Sequence, residues 1–97
     1  KQVRVLHNIS VLYMETGQTE RAIEHLEALV SFVPGHVPAR LALGKLYMEK
    51  KQPLKAIYHL REALKFNPDS PNVHRALAGV YEEVGNVQSA NEHLKRA

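Results

Sequence analysis

Apolar residues recur at helical spacing along the whole chain. Leu6, Ile9, Leu12 and Tyr13 lie three or four positions apart, and so, after a polar break, do Ala22, Ile23, Leu26, Leu29 and Val30. That period marks one face of an amphipathic helix. The breaks carry punctuation. Gly17, Gly85 and Asn86 tolerate the left-handed backbone that ends a helix, and Pro53 suits the first turn of the next. Longer interruptions at Val33-Pro34-Gly35 and Asn67-Pro68-Asp69-Ser70-Pro71 separate larger units, with Ser70 placed to cap a helix opening at Pro71. The pattern predicts helices over 3–15, 19–32, 37–49, 53–66, 71–83 and 87–97.

The chain also matches itself at an offset of 34 residues. Residues 3–36 and 37–70 share twelve identities, among them Tyr13/Tyr47, Ala22/Ala56, His25/His59, Leu26/Leu60, Phe32/Phe66 and Pro34/Pro68. Chance at ordinary composition gives roughly two. Residues 71–97 continue the register through Leu77, Tyr81, Ala90, His93 and Leu94, but stop short of a full period. Each copy holds two helices. Small residues (Ser10, Gly44, Ala78; Ala22, Ala56, Ala90) recur where two helices must approach closely, and Tyr13, Tyr47 and Tyr81 recur as core fillers whose hydroxyl needs a partner or water.

At this level the chain resembles the tetratricopeptide repeat family, whose pattern is W-x2-L-G-x2-Y, then A-x3-F, then P, on a 34-residue period. The matching residues are Leu6-x2-Ile9-Ser10-x2-Tyr13 with Ala22-x3-Leu26 and Pro34; Arg40-x2-Leu43-Gly44-x2-Tyr47 with Ala56-x3-Leu60 and Pro68; and His74-x2-Leu77-Ala78-x2-Tyr81 with Ala90-x3-Leu94. The departures are Leu6, Arg40 and His74 for Trp, and Leu for Phe. The resemblance implies an all-α fold, a right-handed α-solenoid of three helix-turn-helix hairpins. Residues 1–97 are expected to form one domain with repeats 3–36, 37–70 and 71–97, the last truncated. A pentatricopeptide repeat, which reads RNA, has a period typically one residue longer, so three copies locked at 34 argue against it.

Composition narrows the chemistry. With 97 residues, 44% hydrophobic and 24% charged, the chain is of ordinary globular make-up and has no apolar run long enough to span a membrane. It has no Cys, which excludes a thiolate metal site or thiol nucleophile. Lys1 is not an initiator Met, so the chain is expected to be a piece of a longer protein. The net charge of +3 is mild, but it is unevenly spread: residues 37–70 carry seven basic and three acidic side chains, and residues 3–36 two basic and four acidic. Glu82-Glu83 point about 100° apart on a helix and read as a solvated face. His25, His59 and His93 recur once per period, at least one helix diameter apart, and read as partly exposed helix surface rather than a metal site. No phosphate loop, nucleophile elbow or acid-base-nucleophile set is present. No catalytic activity, cofactor or metal is expected.

Binding is the better use of these residues. In the resembled family the first helix of each pair lines a concave face. The candidate groove residues are Arg4, His7, Asn8 and Val11 on the first such helix, Leu41, Lys45 and Met48 on the second, and Asn72, Arg75 and Glu82 on the third. The positions that grip a chaperone's C-terminal carboxylate in some family members are occupied here by His7, Val11, Ala42, Asn72 and Ala76, so that clamp is absent. The expected partner is a protein or peptide, with acidic residues favoured by the basic middle repeat; no nucleic acid or membrane insertion is expected. Self-association through an exposed terminal helix, or a regulatory role within a larger protein, are the alternatives.

Overall fold

The computed structural model describes residues 2–96. Six helices and no strand are found among these residues: α1 (Gln2–Glu15), α2 (Thr19–Phe32), α3 (Val37–Glu49), α4 (Pro53–Phe66), α5 (Pro71–Glu83) and α6 (Val87–Arg96). The helix limits expected from sequence agree to within a residue at each described end.

Local chemistry sets these ends. At the first-helix C-termini the same bond closes each turn: the backbone N–H of Gln18, Gln52 and Asn86 donates to the carbonyl of Tyr13, Tyr47 and Tyr81, in each case at 2.8 Å. This six-residue closure needs a left-handed residue just before the donor. Gly17 (φ 76°) and Gly85 (φ 83°) supply it, and between them Lys51 does so with φ 61°. Asn86, expected to adopt that backbone itself, instead caps α6, its Oδ1 accepting from Ser89 N at 3.2 Å. Ser70 caps α5 as expected, accepting from Val73 N. One period earlier His36 Nδ1 accepts from Ala39 N at 3.2 Å and caps α3.

The helices pair as hairpins α1–α2, α3–α4 and α5–α6, with α3 laid against α2, α5 against α4, and α3 alongside α5. The result is an α-solenoid with extents of 39 × 25 × 18 Å. Leu26, Leu29, Leu43, Leu60, Leu77 and Val73 are fully buried in its core. Close approach depends on the small residues: Ala22, Ala56, Ala78, Ala90 and Ser10 are all at most 1% exposed. A Cβ added at Gly44 would stand 2.7 Å from the Cγ and Cδ2 atoms of Leu60, so only glycine fits where α3 crosses α4.

Candidate functional site

Two adjoining depressions run along the seam between α3 and α5. The first, of about 330 Å³, is lined by Gly44, Lys45, Met48, Leu60, Ala76, Gly79, Val80 and Glu83. The second, of about 370 Å³, is lined by Leu41, Lys45, Asn72, Arg75 and Ala76. Lys45 and Ala76 belong to both, so the two form one groove with an apolar floor and a largely basic and amide rim. Arg75 donates to Asn72 Oδ1 at 3.0 Å, which fixes part of that rim.

Of the groove residues expected from sequence, the structure brings together Leu41, Lys45, Met48, Asn72 and Arg75. Glu82 is exposed on α5 but it is Glu83 that borders the groove. Arg4, Asn8 and Val11 are exposed on α1. His7 is half-buried, its ring 5.6 Å from that of His36, and its Nδ1 is buried without a hydrogen-bond partner. Gly79 also lines the groove, and nothing lies within 4 Å of where its Cβ would stand.

On the opposite side, between α2 and α4, lies a polar network. Glu27 Oε2 accepts from Tyr47 Oη at 2.5 Å and from His59 Nε2 at 3.1 Å. Arg40 NH1 meets His59 Nδ1 at 2.9 Å, and Arg40 Nε donates to the Pro34 carbonyl at 2.9 Å. A guanidinium can only donate, so His59 Nδ1 accepts and the imidazole proton sits on Nε2, facing Glu27. Burial pushes the His59 pKa below its ordinary 6.5, and Arg40 adds to this, against the opposing pull of Glu27 and Glu62. The neutral ring is therefore hydrogen-bonded to a carboxylate and is not one half of an ion pair. Burial, reinforced by the bond to Glu27, raises Tyr47 to about 12.

This corrects the reading of His59 as partly exposed surface: it is 4% exposed, stacked on Tyr47 at 5.7 Å and 2°. His25 and His93 are half-buried. The physical reason is Arg40, itself only 5% exposed at a place where the family pattern carries Trp. A guanidinium buried there needs acceptors inside, which His59 and the Pro34 carbonyl provide. Among the described residues no three His, Cys, Asp or Glu side chains converge on a metal position, and no helix is long and apolar enough to cross a membrane.

Residues 13–57 match the family profile described as Tetratricopeptide repeat, and residues 44–85 match a second described as TPR repeat. The chain belongs to the tetratricopeptide repeat family. Solved structures similar to it include "MamA MSR-1 C2", at 26% identity and TM-score 0.87, covering 97% of this chain and 54% of that one. "Crystal structure of MamA protein" (23%, TM-score 0.90, 98% and 52%) and "Crystal structure of MamA" (17%, TM-score 0.91, 97% and 55%) share the fold. The chain spans about half the length of these structures. A search of curated protein sequences found no match. As a tetratricopeptide repeat protein the chain is, in general terms, a protein-interaction scaffold, and repeats of this family are typically non-catalytic.

Proposed function

We propose that this tetratricopeptide repeat unit, read as one domain of three repeats over residues 1–97, binds an extended acidic segment of a partner protein in the groove between α3 and α5. The observation that carries the reading is Gly79. Glycine inside an exposed helix costs about 1 kcal/mol relative to Ala, yet no neighbouring atom requires its lack of a Cβ. Packing does not explain it. An open groove floor does, since any longer side chain there would stand between Met48 and Glu83. Lys45 and Arg75 on the rim favour carboxylates, and such complementarity acts mainly on association rate and specificity. Met48 supplies a soft apolar contact, and Leu41 and Asn72 extend the same surface. Arg4, His7, Asn8, Val11 and Glu82 belong to the same reading as flanking positions on α1 and α5.

Fluorescence anisotropy with a panel of labelled acidic and neutral peptides at two ionic strengths tests it. Binding is expected to prefer acidic peptides, to weaken with salt, to be lost in Lys45→Glu/Arg75→Glu and in Gly79→Leu, and to be weakened already in Gly79→Ala. Equal affinity for neutral peptides, or full binding by Gly79→Leu, refutes the groove.

A second reading is self-association. Val5 and Leu12 on α1 are 54% and 59% exposed, whereas their counterparts one period on, Ala39 and Leu46, are at most 2% exposed. Leu94 on α6 is 46% exposed against 0% for Leu60. These end faces are built like the buried seams between hairpins. Sedimentation over a concentration range decides: a monomer at all concentrations removes this reading.

A further inference from the structure

The Tyr47–His59 pair grips a carboxylate that the chain itself supplies, that of Glu27 on α2. One period later the chain rebuilds the receptor without its acid. Tyr81 and His93 stack at 5.6 Å and 6°, as Tyr47 and His59 stack at 5.7 Å and 2°. His74 takes the place of Arg40: its Nε2 donates to the Pro68 carbonyl at 2.7 Å and its Nδ1 lies 2.9 Å from His93 Nδ1. At the position of Glu27, however, stands Arg61. Arg61, Leu64, Lys65, Tyr81, Ser89 and His93 line an open cleft of about 510 Å³ between α4 and α6. Among the described residues Arg61 makes no ion pair, while Lys65 is held by Glu62 at 2.7 Å.

We propose that the outer cleft between α4 and α6 receives a carboxylate supplied in trans, the Asp or Glu side chain of a partner polypeptide, in the position that Glu27 fills in the preceding seam. This site is built from the second helices α4 and α6 with Tyr81 from α5, shares no lining residue with the groove between α3 and α5, and does not depend on that groove being a binding surface. Tyr81 Oη donates to the incoming oxygen as Tyr47 does to Glu27. Arg61 adds a charge-assisted contact in place of the like charge that an acid there would present.

The proton inventory makes this binding pH-dependent. His74 Nε2 carries a proton to reach the Pro68 carbonyl, so its Nδ1 accepts and the proton between the two rings belongs to His93 Nδ1. In that neutral pair His93 Nε2 is a lone pair, and it donates to a carboxylate only after the pair gains one proton. Burial holds His93 below its ordinary 6.5, helped by His74 on α5, Arg96 on α6 and Arg61 on α4, and opposed by Glu92 on α6. Lys65 on α4, Tyr81 on α5 and Lys95 on α6 are the other titratable groups about the ring. Binding of a carboxylate is therefore coupled to uptake of one proton by the His74–His93 pair and raises the His93 pKa.

The test is proton NMR of the histidine and tyrosine rings of the 97-residue chain at about pH 6 and constant ionic strength. N-acetyl-glutamate α-amide, which carries a lone side-chain carboxylate, is titrated against the neutral N-acetyl-glutamine amide and inorganic phosphate. The glutamate probe is expected to give saturable shifts at His93 and Tyr81, none at His25, and an upward displacement of the His93 pKa. Arg61→Gln weakens the affinity about tenfold, as loss of one charge-assisted contact does. Arg61→Glu restores the internal acid, so it shows the raised His93 pKa without probe and ignores added probe. Shifts that do not saturate, that are shared equally by His25, or that survive Arg61→Glu overturn the proposal. Saturation by phosphate with none by the glutamate probe overturns the carboxylate assignment.

Discussion

Lys51 sits where its counterparts in the neighbouring hairpins are Gly17 and Gly85. Its φ of 61° lies in the left-handed region that their φ of 76° and 83° also occupy. An L residue bears about 1–2 kcal/mol there that glycine does not. Replacing it by glycine also frees the unfolded chain, which returns about 0.4–1 kcal/mol. The Lys51 side chain is exposed and makes no hydrogen bond or ion pair among the described residues, and its backbone N–H bond to the Met48 carbonyl is open to glycine too, so little else changes. The balance favours Lys51→Gly by about 0.5–1 kcal/mol, a rise in Tm of about 2–6 °C for a domain of this size. The reverse change is informative because nothing lies within 4 Å of a Cβ built on Gly85. Any cost of Gly85→Lys is then a backbone cost, and the variant should lose about the amount that Lys51→Gly gains. Thermal unfolding followed by far-UV circular dichroism measures both. A fall in Tm for Lys51→Gly, or no change for Gly85→Lys, would show that the turn does not impose the left-handed backbone on its third member.

Gly44→Ala is expected to destabilise by about 1–3 kcal/mol in urea unfolding, since its new methyl would stand 2.7 Å from the side chain of fully buried Leu60, which then has to shift; a neutral result would mean that Leu60 yields or that α3 and α4 part easily. Stability should fall on acidification: His36, His59 and His93 all have folded pKa values depressed below 6.5, chiefly by burial. The unfolded chain thus takes up protons first as pH drops through about 6.5, and stability present above that value is lost until the folded pKa values are reached. A Tm that is flat or rising between about pH 7 and pH 5 contradicts this. At the alkaline end Tyr47, raised to about 12 from 10.0, must stay protonated in the fold, so stability should decline as pH rises through the interval between those values. Ultraviolet titration should show one of the four tyrosines ionising late, and Glu27→Gln should bring it down; an unchanged titration would mean that Glu27 does not hold the hydroxyl.

Helix number, helix limits and hairpin order were legible in the sequence, because each depends on residues within one turn of one another or on repetition at a fixed offset. Tyr13, Tyr47 and Tyr81 at equal spacing, glycine in two of the three tight turns, and Ser70 before Pro71 act locally, and local signals survive in one dimension. Half of the groove was legible for the same reason: Leu41, Lys45 and Met48, like Asn72 and Arg75, share a face of one helix. Period alone could not decide the fate of the polar residues. Arg40, His59 and Glu27 look like surface when read singly, and become a partly buried chain of hydrogen bonds only when α3 brings residues 19 and 32 positions apart into contact. The repeat states that His59 and His93 are equivalent in place; their surroundings differ because Glu27 faces one and Arg61 the other, and which side chains face each other across a seam is settled only by how neighbouring hairpins pack.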